Sequence, residues 1–246
     1  MWKLAVSVSG FHPEAFCYTK TYAPVVILVL HNEPEEKHRY HCDALSSFFP
    51  DSVKQNVPRD GVPREEAKDA DGIVLTGSTA GVYERAERPW IGELESLVID
   101  ILEEDTPTLG VCFGHQLINS ALGGNVEKFE DRHELVELSL KDDPLFEGVG
   151  PVGVALHGDR VTEAGEGMEV LGSSGYNDVF TTRHRDAPVW TVQFHPEITE
   201  DLVPTIEKKY GWTKTEHSFE DSNAHRVFEN FRTLVGSYAG SRGGEP

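Results

Sequence analysis

The chain has 246 residues, 38% of them hydrophobic and 26% charged, the size and balance of a soluble globular protein with one large α/β domain or two small ones. Its 42 acidic against 22 basic residues give a net charge of −20, which argues against nucleic acid and anionic membrane as partners, because phosphate contacts need clustered Lys and Arg. The longest apolar run, VVILVL at 25–30, is far shorter than the ~20 residues of a membrane span.

Residues 1–23 differ from the rest of the chain, with Glu14 their single acid, and read as an atypical N-terminal extension. The domain proper is expected over 24–240, with a flexible tail at 241–246. The run at 25–30 reads as a strand buried on both faces, as in a parallel sheet. A helix is expected over 35–49, with Tyr40, Ala44, Leu45 and Phe48 on its inner face. GIVLT at 72–76 is a second buried strand, followed by a Gly/Ser turn. Residues 90–104 carry an apolar stripe of Ile91, Leu94, Leu97, Val98, Ile101 and Leu102, the pattern of an amphipathic helix. A short strand at 108–111 leads into a helix over 114–122 that stops at Gly123-Gly124. Further strands are expected at 135–140, 152–156, 169–173, 179–182 and 189–194, and helices at 199–210 and 223–238. Repeated strand–helix–strand units predict right-handed crossovers and an open sheet with helices on both faces.

Cys17, Cys42 and Cys112 are odd in number and widely spaced, which predicts free thiols in a reducing, cytoplasmic setting rather than a disulfide framework. The acid excess fits a high-salt cytoplasm, where ions screen self-repulsion.

The chemistry concentrates at strand ends. In GVCFGHQ, residues 110–116, a buried strand runs into Cys112 and a helix begins just after it. Gly110 and Gly114 flank the cysteine in the G-x-nucleophile-x-G pattern of a nucleophile elbow. A side chain at either glycine is expected to collide with a neighbouring strand or helix. The turn places sulfur at the carboxyl edge of the sheet, where open α/β sheets bind ligands, and at a helix N-terminus, where an anion is favoured. In TVQFHPE, residues 191–197, His195 ends a second strand as a candidate base, and Glu197 is placed to orient its ring. LTGSTAGVYE, residues 75–84, supplies glycine-rich backbone whose N–H groups can face a developing oxyanion. It lacks the lysine of a phosphate loop. The remaining histidines suggest no metal set; His38 and His41, beside Cys42, are expected on an exposed helix face, and His115 is expected to pack within the elbow.

Together these motifs resemble the class I (triad) glutamine amidotransferases. GVCFGHQ is similar to that family's nucleophile motif, TVQFHPE to its His–Glu motif and LTGS to its oxyanion loop, over a stretch from about Val25 to the helix containing NAHRVFENF. The resemblance implies a flavodoxin-like three-layer sandwich with a mostly parallel central sheet. It implies that Cys112 attacks the side-chain amide of glutamine and forms a γ-glutamyl thioester, releasing ammonia and then glutamate, without a cofactor or metal. His195 would shuttle the proton, Glu197 would orient it, and N–H groups of Gly77 or Ser78 and of Phe113 would hold the oxyanion. Gln116 would contact the α-amino or carboxylate end of the substrate. LHGDRV at 156–161 resembles a loop of the GMP synthetase type that approaches glutamine, which makes His157, Gly158 and Asp159 candidate substrate contacts.

Such glutaminases feed ammonia to a synthetase, and this chain shows no ATP-binding loop. The first reading is therefore a stand-alone, GMP-synthetase-like amidotransferase of unassigned acceptor, serving at most a separate synthetase subunit. The second is the glutaminase subunit of a two-subunit GMP synthetase. A γ-glutamyl hydrolase or peptidase on the same triad and a non-catalytic regulator are the alternatives from other classes. The oxyanion loop reads TGSTAGVYE where the GMP type shows S-G-G-P.

Overall fold

A computed structural model describes residues 25–242. The expected N-terminal extension and the last four residues of the expected tail lie outside them. In chain order the elements are β1 (Ile27–His31), α1 (Tyr40–Ser47), β2 (Val53–Asn56), α2 (Val57–Asp60), α3 (Arg64–Asp69), β3 (Gly72–Leu75), α4 (Trp90–Glu103), β4 (Thr108–Val111), α5 (Phe113–Ala121), β5 (Asn125–Glu137), β6 (Ser139–Leu140), β7 (Val152–Glu163), β8 (Met168–Ser174), β9 (Asn177–His184), β10 (Val189–Val192), α6 (Val203–Tyr210) and α7 (Arg226–Arg242). Helix α7 enters the stretch expected as tail. None of the described helices is long and apolar enough to cross a membrane.

Eight strands form one sheet in the order β2-β1-β3-β4-β10-β9-β8-β6. The run β2-β1-β3-β4-β10 is parallel throughout. It has the 2-1-3-4-5 order of flavodoxin-like sheets, whose ligand crevice opens where the order reverses, here between β1 and β3. The strands β9, β8 and β6 extend it in antiparallel fashion. Side-chain alternation along β1 creates the three layers. Ile27 and Val29 pack with Leu45 and Phe49 and with Phe228, Phe231 and Val235 of α7. Leu28 and Leu30 face Leu94, Leu97, Val98 and Ile101 of α4 and Leu117 and Ile118 of α5. Complete burial of such side chains contributes about 1.5–3 kcal/mol each, so the strands with the purest apolar runs become the sheet centre. Strands β5 and β7 pair separately. Their ribbon packs Leu135, Val152 and Val154 against Ile198 and Ile206 beside α6.

Three expectations are corrected. The helix expected over 35–49 is a 3-10 turn, Glu36–His38, followed by α1. The inner face of α1 is His41, Cys42, Leu45 and Ser46, so His41 is buried rather than exposed. His38 is mostly covered as well, bonded through Nδ1 to the Tyr210 hydroxyl. Strand β5 begins at Asn125, well before the expected 135, because its first half is exposed and shows no apolar alternation. Finally, LHGDRV is not a loop. It continues β7, with His157 opposite Arg132 and Asp159 opposite Lys128 across a register shift.

Candidate active site

Four parallel strands, β1, β3, β4 and β10, end at the same edge of the sheet, and each delivers a piece of one cavity. At the end of β4 the chain turns sharply at Cys112, whose φ of 52° and ψ of −101° lie outside the ordinary regions for a residue with a side chain. Such a conformation costs roughly 1–3 kcal/mol and persists only where the surroundings impose it. The flanking glycines show how. A Cβ on Gly110 would stand 2.6 Å from the Gly114 carbonyl oxygen, and one on Gly114 would stand 2.6 Å from the Leu75 carbonyl oxygen of β3. The backbone of the elbow thus packs directly on helix and strand. Gly114→Ala should lower stability by about 3 kcal/mol, since rigid backbone cannot yield to the methyl group; a urea midpoint measured beside wild type checks this.

Cys112 Sγ is 5% exposed and 4.0 Å from the Leu156 carbonyl oxygen. It lies at the N-terminus of α5, where the dipole and unpaired N–H groups favour negative charge. The adjacent strand β10 brings His195, which is almost fully buried and paired through Nδ1 to Glu197 Oε1 at 2.6 Å. Burial pushes the imidazole down. The Glu197 carboxylate and the Cys112 sulfur outweigh it, and the ring stays charged well above its ordinary range. Its Nε2 makes no hydrogen bond among the described residues, which leaves that nitrogen for proton transfer.

The third piece comes after β3. Gly77 lies against the His195 ring, and a Cβ there would be 3.1 Å from His195 Cε1. The N–H groups of Gly77, Ser78 and Phe113 have no hydrogen-bond partner among the described residues. The cavity, about 290 Å³, is lined by Cys112, His195, Ser78, Gln116, His157, Gly158 and Asp159 among others. The structure therefore brings all the sequence-predicted residues to one place, but in different roles of contact. Gln116 spends its amide N–H groups on the Asp159 carbonyl at 3.0 Å and on Gln193 Oε1 at 3.2 Å, so its own carbonyl oxygen is the atom left to accept a bond. Both ring nitrogens of His157 are engaged, by the Asp159 carbonyl and the Tyr176 hydroxyl. Burial, with His195 nearby, pushes its pKa down to about 3, so it stays neutral. Asp159 receives the Tyr83 hydroxyl at 3.3 Å across the cavity mouth. His115, outside the cavity, is fully buried against Thr191 Oγ1 at 2.6 Å.

The sequence reading passed over Glu33, His41 and Tyr83. Glu33 had a usable signal, since it lies just beyond the buried strand β1 at the ligand-binding edge.

The sequence pattern of the class-I glutamine amidotransferases matches residues 39–203, which include Cys112, His195 and Glu197. The chain belongs to this family. Among curated relatives, the glutamine-hydrolysing subunit of GMP synthase from Methanothermobacter thermautotrophicus is 31% identical over 84% of this chain and 96% of its own length. The protein of the same description from Methanocaldococcus jannaschii is 31% identical over 70% and 88%. The single-chain GMP synthase of Thermosipho africanus is 34% identical over 68% of this chain, yet only 34% of its own length is matched. Among solved structures, a putative GMP synthase subunit from Thermoplasma acidophilum superposes with a TM-score of 0.67 at 21% identity, covering 90% of this chain and 98% of that one. A glutamine amidotransferase from Thermotoga maritima superposes with a TM-score of 0.64 at 17% identity, over 89% and 99%. These two likenesses carry the fold, a flavodoxin-like sandwich.

Proposed function

We propose that this class I amidotransferase hydrolyses the side-chain amide of glutamine on Cys112 and passes the ammonia to a separate synthetase subunit of the GMP synthase type. The observation that carries the chemistry is the strained Cys112 at a helix N-terminus, facing an imidazole that Glu197 and the sulfur keep charged. The Cys112 thiolate attacks the amide carbon, and the carbonyl becomes an oxyanion held by the N–H groups of Phe113 and of Gly77 or Ser78. His195 Nε2 gives its proton to the departing nitrogen, so ammonia leaves and a γ-glutamyl thioester remains. Water then attacks the thioester and gives a proton to His195, and collapse releases glutamate and the thiolate. The carbonyl of Gln116 and the carboxylate of Asp159 suit the substrate's α-ammonium group.

The acceptor assignment draws on the relatives. The chain spans nearly the full length of two glutamine-hydrolysing GMP synthase subunits and one third of a single-chain GMP synthase, as a detached glutaminase portion would. This favours the two-subunit GMP synthetase reading over a stand-alone enzyme of unassigned acceptor. The test mixes the protein with a GMP synthase synthetase subunit plus its nucleotide substrates, with glutamine as the only nitrogen donor. Glutamine-dependent GMP formation is expected. Glutamate release without transfer would overturn the acceptor, and turnover of γ-glutamyl conjugates in preference to glutamine would replace the reading with a γ-glutamyl hydrolase.

A further inference from the structure

The end of β1 carries a second buried carboxylate that the reaction does not consume. Glu33 is 0% exposed, and a lone carboxylate there would be strongly unfavourable. It is not alone. Its Oε1 accepts the Glu35 N–H at 2.8 Å and the Thr79 hydroxyl at 3.0 Å. Its Oε2 accepts the Thr79 N–H at 2.8 Å and stands 3.6 Å from His41 Nε2. Burial pushes this carboxyl up, but His41 and the N–H groups pull it below its ordinary range. Burial likewise pushes His41 down, while Cys42 and Glu33 carry it up to about 10. Glu33 and His41 are therefore an ion pair at neutral pH, inside the protein and beside the cavity.

The placement of this pair gives it a task. Asn32, the preceding residue, donates its N–H to Thr76 Oγ1 and its amide to the Thr76 carbonyl, both at 3.0 Å. The loop after β3 is thus gripped from β1 at two points, Thr76 by Asn32 and Thr79 by Glu33. Between those points lie only Gly77 and Ser78. Gly77 is also wedged between rings, since a Cβ there would be 3.1 Å from His195 Cε1 and 3.4 Å from His41 Cε1. Glu33 precedes the segment matched by the family pattern, which starts at residue 39.

We propose that Glu33, with His41 as its counter-ion, is a positioning residue that fixes the N–H groups of Gly77 and Ser78 for the oxyanion. The inference rests on the glutamine-hydrolysis reading. Oxyanion donors act by being in place before charge develops. A loop held at Thr76 alone would have to be ordered during the reaction, which lowers kcat while leaving ground-state binding nearly unchanged.

The experiment compares wild type with Thr79→Val, Thr79→Ser and Glu33→Gln, each with the synthetase subunit if wild type needs it. Thr79 is exposed, so its variants should fold. Two rates are read: glutamine turnover, and alkylation of Cys112 by iodoacetamide, followed by mass analysis of the Cys112 peptide. Alkylation uses the same sulfur and develops no oxyanion. We expect kcat to fall roughly 3- to 10-fold in Thr79→Val and about 100-fold in Glu33→Gln, the scale of a misplaced oxyanion donor. KM and the alkylation rate should stay within about 2-fold, and Thr79→Ser should restore kcat. Wild-type kcat in Thr79→Val, or kcat and alkylation falling together, would overturn the proposal. If Glu33→Gln does not fold, the two Thr79 variants decide. A wild type that releases no glutamate would overturn the glutamine reading itself, a failure seen before any variant is compared.

Discussion

Cys112→Ala should abolish glutamine hydrolysis, lowering kcat by about 10⁵- to 10⁶-fold, as removal of a nucleophile does when the other groups act only through it. The fold should persist. The substituted atom is one buried sulfur, and the features that impose the elbow are the backbone contacts of Gly110 and Gly114, which the variant keeps. Circular dichroism and the urea midpoint should therefore stay near wild type while glutamate release disappears. Retained turnover in a folded Cys112→Ala protein would remove the thioester from the mechanism.

Glu197→Gln should have the next largest effect, a loss in kcat of roughly 100- to 10,000-fold, the range of a general acid–base whose orientation and charge are disturbed. The 2.6 Å contact between Glu197 and His195 Nδ1 is buried, so the amide replaces a full charge in a weakly screened place. The pH dependence comes from the direction of the His195 shift. Burial lowers it, Glu197 and Cys112 raise it more, and the net folded value lies well above 6.5. Activity that needs the imidazolium should hold through neutral pH and decline only as pH rises through that raised value. In Glu197→Gln the alkaline limb should move to lower pH. Stability has the same sign. The folded state binds this proton more tightly than the unfolded state does, so the contribution of the pair is fully present below about pH 6.5 and is lost as pH rises through the folded value. Glu197→Gln should flatten that loss, measured as urea midpoints from neutral to alkaline pH.

What the sequence reveals here depends on how local the controlling interaction is. The elbow at Cys112 is legible because its steric demand falls on residues two positions away, and glycine is the only answer. His195 and Glu197 are legible for a similar reason, two residues apart at the end of the strand that pairs with β4. The central sheet is legible because β1, β3 and β4 are buried on both faces and so read as unbroken apolar runs. Strand β2, VKQN, is an edge strand with two exposed residues and a mostly polar sequence, and nothing in its pattern separates it from a loop. The first half of β5 is hidden by the same exposure. The inner face of α1 is misread because Tyr40, Ala44 and Phe48 look like its apolar stripe. The residues that turn inward, His41, Cys42 and Ser46, are polar or small, and they are buried because Glu33, Thr76 and His31 offer them partners. Those partners are distant in sequence, so periodicity carries no trace of them. Glu33 is the sharpest case. An acidic residue after a strand looks solvated until Thr79 and His41 are seen to enclose it.

The central claim is that Cys112 becomes covalently γ-glutamylated during turnover, and the most direct measurement is acid quenching of the protein with glutamine within one turnover, followed by mass spectrometry of the peptide that contains Cys112. The account predicts a γ-glutamyl adduct on Cys112 in wild type, increased in Glu197→Gln if thioester hydrolysis slows more than its formation, and absent in Cys112→Ala. Glutamate formed at the wild-type rate with unmodified Cys112 at every quench time, and with activity surviving in Cys112→Ala, would contradict it.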